Sequence, residues 1–342
     1  MHEAMLYTPL EDGRVNCNLC ARHCAISDGK LGYCRVRKNE KGTLYSLVYG
    51  KACSANPDPI EKKPLWHFHP GSLVMSIATI GCNFRCQFCQ NWQISHEREI
   101  FGHDLSPDKI VDLALQSGCS GISYTYTEPT IFFEYAYDTA KIAQQKGLFN
   151  TFVTNGYLTP EAIETIAPYL DAATVDFKGN ANPNFYERYC HVPSVDPIFS
   201  ALKAMKNVGI HIEITNLVVT DVGDDVKDAE KLAKWIVEEL GEETPLHLLR
   251  FYPHHKMSNL PPTPIKALEA AANASIQAGL KYVYLGNVPG HQGANTICAN
   301  CGALLIERLG VHTTSVRLTR QGRCPACNLP IPIILPDDLS SI

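Results

Sequence analysis

Nowhere in the 342 residues is there an apolar run long enough to cross a membrane. The longest are about strand length, well short of the ~20 residues a spanning helix needs. The start also lacks the layout of a secretory leader, since Met1 to Gly13 carries charges and no apolar stretch. A soluble, cytoplasmic protein is the expectation. Excess charge of one sign is absent: 30 Lys and Arg against 35 Asp and Glu leave a net of −5. That balance argues against general nucleic-acid binding. A disulfide framework is missing as well, because most of the 14 cysteines fall in the C-x2-C pairs typical of metal sites.

What is present fits a soluble globular protein. Hydrophobic content is 45%, and a chain of this length favours one large catalytic domain with small appendages. The cysteines sort into clusters of four, three and four, leaving Cys53, Cys119 and Cys190 as expected buried structural thiols. They divide the chain into a Cys-rich segment over 1–60, a central domain over 61–294, and a short segment with a tail over 295–342.

The central cluster organises the rest. Cys82-x3-Cys86-x2-Cys89 directly follows Leu73–Ile80, an apolar run that reads as a buried strand. The thiols therefore sit at a strand's C-terminal end, where parallel α/β folds place their chemistry. Three thiolates can ligate three irons of a [4Fe-4S] cube and leave the fourth open to a small molecule. Phe84 and Phe88 could screen such a cluster from water. Spacing alone also allows zinc with a fourth ligand from elsewhere. An open, low-potential cluster would suit a reducing, oxygen-poor setting.

The N-terminal segment is turn-rich and carries Cys17, Cys20, Cys24 and Cys34, with Gly29 and Gly32 in the long spacer. Four cysteines can close a structural zinc site or hold an auxiliary iron-sulfur cluster, and His23 could replace one of them. Between residues 22 and 41, six basic side chains against two acidic ones leave a local +4. Such a run is a solvated face or a dock for an acidic partner.

From residue 70 onward, apolar β-rich runs near 73–80, 120–126, 150–154, 172–176, 210–219, 245–252 and 281–285 alternate with helical segments. Ser106-Pro107, Thr159-Pro160 and Thr263-Pro264 read as helix starts, and Gly118, Gly147, Gly209, Gly241 and Gly279 as helix stops. The expected fold class is α/β, a partial (β/α) barrel open on one side. At the C-terminal end, Cys298-x2-Cys301 and Cys324-x2-Cys327 lie 22 residues apart, two knuckles around a hairpin. That pattern reads as a zinc ribbon, with an auxiliary cluster as the alternative, and its metal is expected to serve folding. The tail after Pro330 is expected to be weakly ordered.

Polar residues end successive strands: Glu128 with Pro129, Thr154-Asn155-Gly156, Asp176 with Lys178, Thr215 with Asn216, and Arg250 through His254. Each could be an ordinary loop, but five in succession beside a three-cysteine loop favour a shared polar site.

The C-x3-C-x2-C loop resembles the signature of the radical S-adenosylmethionine (radical SAM) enzymes. Positions 60–290 resemble the pyruvate formate-lyase activating enzyme branch. Glu128-Pro129 is similar to the end of its Gly-Gly-Glu-Pro motif, Thr154-Asn155-Gly156 to Asp-Thr-Asn-Gly, and Asp176-x-Lys178 to Asp-Leu-Lys. Tyr126 and Thr127 stand where the motif has glycines, Val153 where it has aspartate, and Thr215 where an arginine is expected. Taken whole, the chain most resembles the radical SAM enzyme of the AmmeMemoRadiSam system, named for its association with AMMECR-type and Memo-type proteins. The resemblance implies a [4Fe-4S] cluster on Cys82, Cys86 and Cys89, and SAM contacts at Glu128, Asn155, Asp176, Lys178 and Thr215. It implies reductive cleavage of SAM to a 5′-deoxyadenosyl radical that abstracts hydrogen from an unidentified substrate, activase-like if that substrate is a protein. Its implied partners are an electron donor such as ferredoxin or flavodoxin, and AMMECR-type and Memo-type proteins. The alternative from another class is a non-catalytic iron-sulfur electron carrier or a zinc-ribbon binding module. A carrier needs no open iron and a binding module needs no ribose contacts.

Overall fold

The computed structural model of the chain describes residues 1–336. They form two compact units. The first joins Met1–Asp58, Leu73–Ala173 and Tyr189–His211; the second joins Pro59–Ser72, Thr174–Arg188 and the chain from Ile212 onward.

In the first unit an edge strand, β1 (Ser54–Pro59), is followed by β2 (Leu73–Ala78), β3 (Gly121–Tyr124) and β4 (Phe149–Thr154), hydrogen-bonded in that order. β3 pairs in parallel with both β2 and β4. The helices are α1 (Pro107–Gln116), α2 (Phe133–Gln145), α3 (Pro160–Ile166) and α4 (Asp196–Asn207). Parallel strands need such crossovers, because a tight hairpin cannot return the chain in the same direction. Ile77, Ile122 and Phe152 from the strands are fully buried, as are Ile110, Ala140 and Ile163 from the helices. Each of the isoleucines and the phenylalanine contributes about 1.5–3 kcal/mol by leaving water.

β5 (Ala172–Lys178) carries the chain into the second unit, where it neighbours β6 (His211–Val218), then β7 (Leu246–Arg250) and β8 (Val283–Gly286). β6, β7 and β8 pair in parallel, with α5 (Val226–Glu239) and α6 (Ile265–Gln277) between them in sequence. The expected α/β partial barrel is borne out by this alternation within each unit. The seven expected strands are present, and β1 is an eighth. Its Ser-Ala-Asn-Pro-Asp-Pro sequence reads as a turn, but proline is tolerated in an edge strand.

The helix signals hold with one correction. α1 and α3 begin at the expected prolines, and Thr159 Oγ1 accepts the Ala162 amide at 3.3 Å. Thr263 does not cap α6: its hydroxyl donates to the Val218 carbonyl at 2.6 Å and accepts the Phe251 amide, a tie to β6 and β7. All five expected stop glycines have positive φ.

At the start of β6, Glu213 accepts the His67 amide and the His247 ring, both at 2.7 Å, with Glu213 and both histidines wholly buried. The C-terminal hairpin, Leu304–Leu309 with His312–Val316, lacks a core of its own, as expected. Its Leu305 and Ile306 share a cluster with Trp66, Tyr282 and Tyr284. Ile331 and Ile333 join that cluster, and Ile334 exchanges backbone hydrogen bonds with His67 and His69. The tail after Pro330 is therefore docked through Ile334, contrary to expectation; residues 337–342 lie outside the described residues. No described helix is long and apolar enough to cross a membrane.

Candidate functional site

The chain leaves β2 through Thr79 and turns at Gly81 into the three-cysteine loop. Cys86 is buried, and Cys82 and Cys89 are partly so. Cys82 and Cys89 each have a polar neighbour. The Phe84 amide donates to Cys82 Sγ at 3.3 Å, and Cys89 Sγ lies 3.2 Å from the Ser95 hydroxyl. Arg85 holds the loop from outside, donating to the Cys82 and Phe84 carbonyls at 2.6 and 2.7 Å. Phe84 and Phe88 are buried beside the thiols.

Asn155, at the end of β4, reaches this loop. Its Nδ2 donates to Asn83 Oδ1 at 2.7 Å and lies 4.0 Å from Cys82 Sγ. Its own amide donates to Glu128 Oε2 at 2.8 Å. The other carboxylate oxygen of Glu128 accepts the Thr130 amide and hydroxyl at 3.1 and 2.6 Å and the Thr154 hydroxyl at 2.7 Å. Glu128 thus joins the ends of β3 and β4 and caps the turn Pro129–Phe132. One acceptor position is left, on Oε2. Burial raises the Glu128 carboxyl above the usual range, opposed by these hydrogen bonds. Burial, then the Glu128 charge, pushes the Cys82 thiol well up.

Tyr126 departs from the family's glycine yet keeps glycine's backbone, with φ 62°. Its hydroxyl donates to Asp58 on β1, and its carbonyl accepts from Asn91 Nδ2 at 2.8 Å. Asp58, Asn91, Asn83 and Ser95 escape sequence reasoning. For Asn83 and Arg85 the signal was their place between the cysteines.

In the second unit, β5 and β6 bring three expected residues together. Asp176 and Lys178 share one face of β5, with Phe177 buried between them. Lys178 Nζ lies 2.6 Å from Asp176 Oδ2, and the Thr215 hydroxyl donates to Asp176 Oδ1 at 2.8 Å. Arg250 is committed elsewhere, donating to the Thr263 carbonyl at 2.7 Å, and His254 is exposed.

Cys298, Cys301, Cys324 and Cys327 have sulfurs within 4.8 Å of one another. The Cys298–Cys327 and Cys301–Cys324 separations are 3.6 Å, too long for disulfides. Four thiols converging in this way could hold a metal ion. The Asn300 side chain, aided by the Leu329 amide, lowers the Cys327 thiol to about 6, so a thiolate is ready near neutral pH.

At the N-terminal end, Cys17 and Cys34 are buried, and Cys20 and Cys24 partly so. Burial raises the Cys17, Cys20 and Cys34 thiols, and each also feels the charge of the other cysteines; Cys34 is pushed up to about 11. The basic run nearby is not a solvated face throughout. Arg37 is 2% exposed and pairs with Glu134 at 2.9 Å. Arg22 donates to the Asn83 and His191 carbonyls and stacks on Tyr33. Cys119 and Cys190 are buried as expected, while Cys53 is only partly so.

Comparison with known proteins agrees with this geometry. Residues 76–236 match the radical SAM superfamily. The chain is 47% identical over 338 residues to the uncharacterized protein MJ0808 of Methanocaldococcus jannaschii, covering 98% of this chain and all of that protein. It is 25% identical over 189 residues to the pyruvate formate-lyase-activating enzyme of Clostridium pasteurianum, covering 52% of this chain and 77% of the relative. Its fold is similar to a radical SAM methyltransferase from Sphaerobacter thermophilus, with a TM-score of 0.50 at 15% identity over 68% of this chain and 70% of that one. The three-cysteine loop lies inside the matched stretch, and residues 76–236 form a radical SAM superfamily domain.

Proposed function

We propose that the protein is a radical SAM enzyme of the activating-enzyme type, which generates a 5′-deoxyadenosyl radical to abstract hydrogen from its substrate. The observation that carries this is the Cys82-Cys86-Cys89 loop at the end of β2, tied through Asn155 to β4. The donor set fits a [4Fe-4S] cluster. Three thiols share one loop, and the buried Cys82 beside an anionic Glu128 favours a cationic centre to hold its thiolate. When bound, the cluster and SAM supply one-electron cleavage to methionine and a 5′-deoxyadenosyl radical.

The chain's residues orient and shield. Asn155 and the Phe84 amide hold Cys82, the Ser95 hydroxyl accompanies Cys89, and Phe84 with Phe88 keeps water from the thiols. Glu128 and Asn155 are the proposed SAM contacts of the first unit. Asp176, Lys178 and Thr215, a bonded triad, are proposed for the same cofactor by their resemblance to family motifs. We assign the C-terminal four cysteines to structural zinc. The proposed partners are a ferredoxin or flavodoxin as electron donor and, by resemblance to the AmmeMemoRadiSam system, AMMECR-type and Memo-type proteins.

The test is anaerobic reconstitution, reduction with dithionite, and measurement of 5′-deoxyadenosine formed from SAM. The wild-type chain should form it and show a cluster EPR signal that SAM alters. The Cys82→Ala, Cys86→Ala, Cys89→Ala variant should do neither. Retention of the SAM-sensitive signal by that variant would sink the assignment.

A further inference from the structure

We propose that Cys17, Cys20, Cys24 and Cys34 hold an iron-sulfur cluster that relays single electrons to the cluster loop at Cys82, Cys86 and Cys89. The relay rests on the proposed function; the cluster itself does not.

Spacing separates the thiol groups. The C-terminal four converge within 4.8 Å, the size of a single tetrahedral ion; among the described residues they are the group so gathered. The N-terminal four are not gathered at that spacing, yet their segment folds back on itself: the Cys17 amide donates to the Cys24 carbonyl at 3.0 Å, and a Cβ on Gly32, two residues before Cys34, would lie 3.9 Å from Cys24 Sγ. A cluster holds its cysteines farther apart than a lone zinc does, because irons and sulfides lie between them, and four cysteines suit either a [2Fe-2S] or a [4Fe-4S] centre. Beside the thiols lies Arg37, whose Nε is buried and has no hydrogen-bond acceptor within the protein. A buried cation with a spare N–H suits an anionic, thiolate-bound centre.

The second half of the proposal comes from Gly81. It has φ +96°, and a Cβ there would lie 3.0 Å from the Cys34 carbonyl and 2.8 Å from Val36. The last cysteine of one site therefore packs backbone to backbone on the residue before the first cysteine of the other. Two further ties span the same seam: Arg22 donates to the Asn83 carbonyl at 3.0 Å, and Arg85 donates to the Tyr33 carbonyl at 2.5 Å. A centre on Cys34 thus has a short, fixed path to one on Cys82. In the relay, the N-terminal centre accepts one electron from a low-potential carrier and is reoxidised as it passes that electron on. No bond forms or breaks in that transfer.

Metal content of the Cys82→Ala, Cys86→Ala, Cys89→Ala variant, reconstituted with iron and sulfide, tests the cluster. Roughly two to four irons per chain with matching sulfide should remain, with about one zinc and an EPR signal indifferent to SAM. An iron-free variant with about two zincs, beside a wild-type chain that keeps its SAM-sensitive signal, would overturn the cluster and leave the proposed function standing. Iron in the variant, with no SAM-sensitive signal in the wild type, would support the cluster but remove the relay. For the relay, Cys34→Ser leaves the carbonyl against Gly81 in place. It should lose the N-terminal iron, keep the SAM-sensitive signal, and lose most of the rate at which reduced flavodoxin reduces the SAM cluster. An unchanged rate would overturn the relay.

Discussion

The amide of Asn155 donates to Glu128 Oε2 at 2.8 Å, so the ends of β3 and β4 are locked to one carboxylate. From Asn155 the bonding continues through Asn83 into the cysteine loop. Glu128→Gln replaces one acceptor oxygen with a donor, and a donor must then face either Asn155 or the threonines. We expect unfolding free energy to fall by about 1.5–3 kcal/mol, measured by denaturant titration of the apoprotein. Weaker SAM binding at unchanged stability would overturn the cross-link and leave a direct ligand contact.

Arg37 and Glu134 form a pair with 2% and 1% of their side chains exposed. Arg37 also donates to the Met5 carbonyl, and Glu134 accepts the Met5 amide, each at 2.7 Å. Arg37→Met leaves a buried carboxylate without its cation. The expected cost is about 3–5 kcal/mol, and Glu134→Gln in the same background should recover part of it. Thermal unfolding of the two variants decides this; equal melting temperatures for wild type and Arg37→Met would refute the pairing.

Removing one ligand from the C-terminal site should unfold the hairpin locally. Cys301→Ser is expected to lower zinc content and melting temperature, because Leu305 and Ile306 stay packed on Trp66 and Tyr284 only while the knuckles are closed. Iron and sulfide in place of zinc at this site would contradict the assignment.

Glu61 gives a pH dependence of definite sign. It is 2% exposed, its Oε1 accepts the Gly71 amide at 2.7 Å, and its Oε2 has no partner. Burial raises its carboxyl, with Thr313, Arg308 and Gly71 opposing. A raised carboxyl contributes stability that is full below the unfolded value, near 4.3, and is lost as pH rises through the folded value. Glu61→Gln removes that loss. Melting temperatures of wild type and variant should therefore diverge across this window in favour of the variant. Parallel curves would contradict the prediction.

Periodicity and cysteine spacing made much of this legible. The strands of both units, the prolines that start α1 and α3, and the C-terminal thiol group could be read from the chain. What escaped depended on partners far away in sequence. Pro57 and Pro59 hid β1 because edge pairing is a tertiary property. Arg37 reads as a surface cation, since its partner Glu134 is 97 residues away. Thr263 looks like a cap until β6 claims its hydroxyl. Glu128 has the right type and position for a ligand contact, but only the structure reveals four protein donors on its carboxylate.

The prolines of β1 have a consequence for how copies of this protein behave together. A bare strand edge can recruit a strand from another molecule, and unchecked recruitment ends in aggregates. β1 is six residues long and lacks two amides at Pro57 and Pro59. It can complete its pairing with β2 but makes a poor template for anything beyond. Replacing both prolines with threonine would turn an inert border into an adhesive one, and insolubility at high concentration would be the symptom.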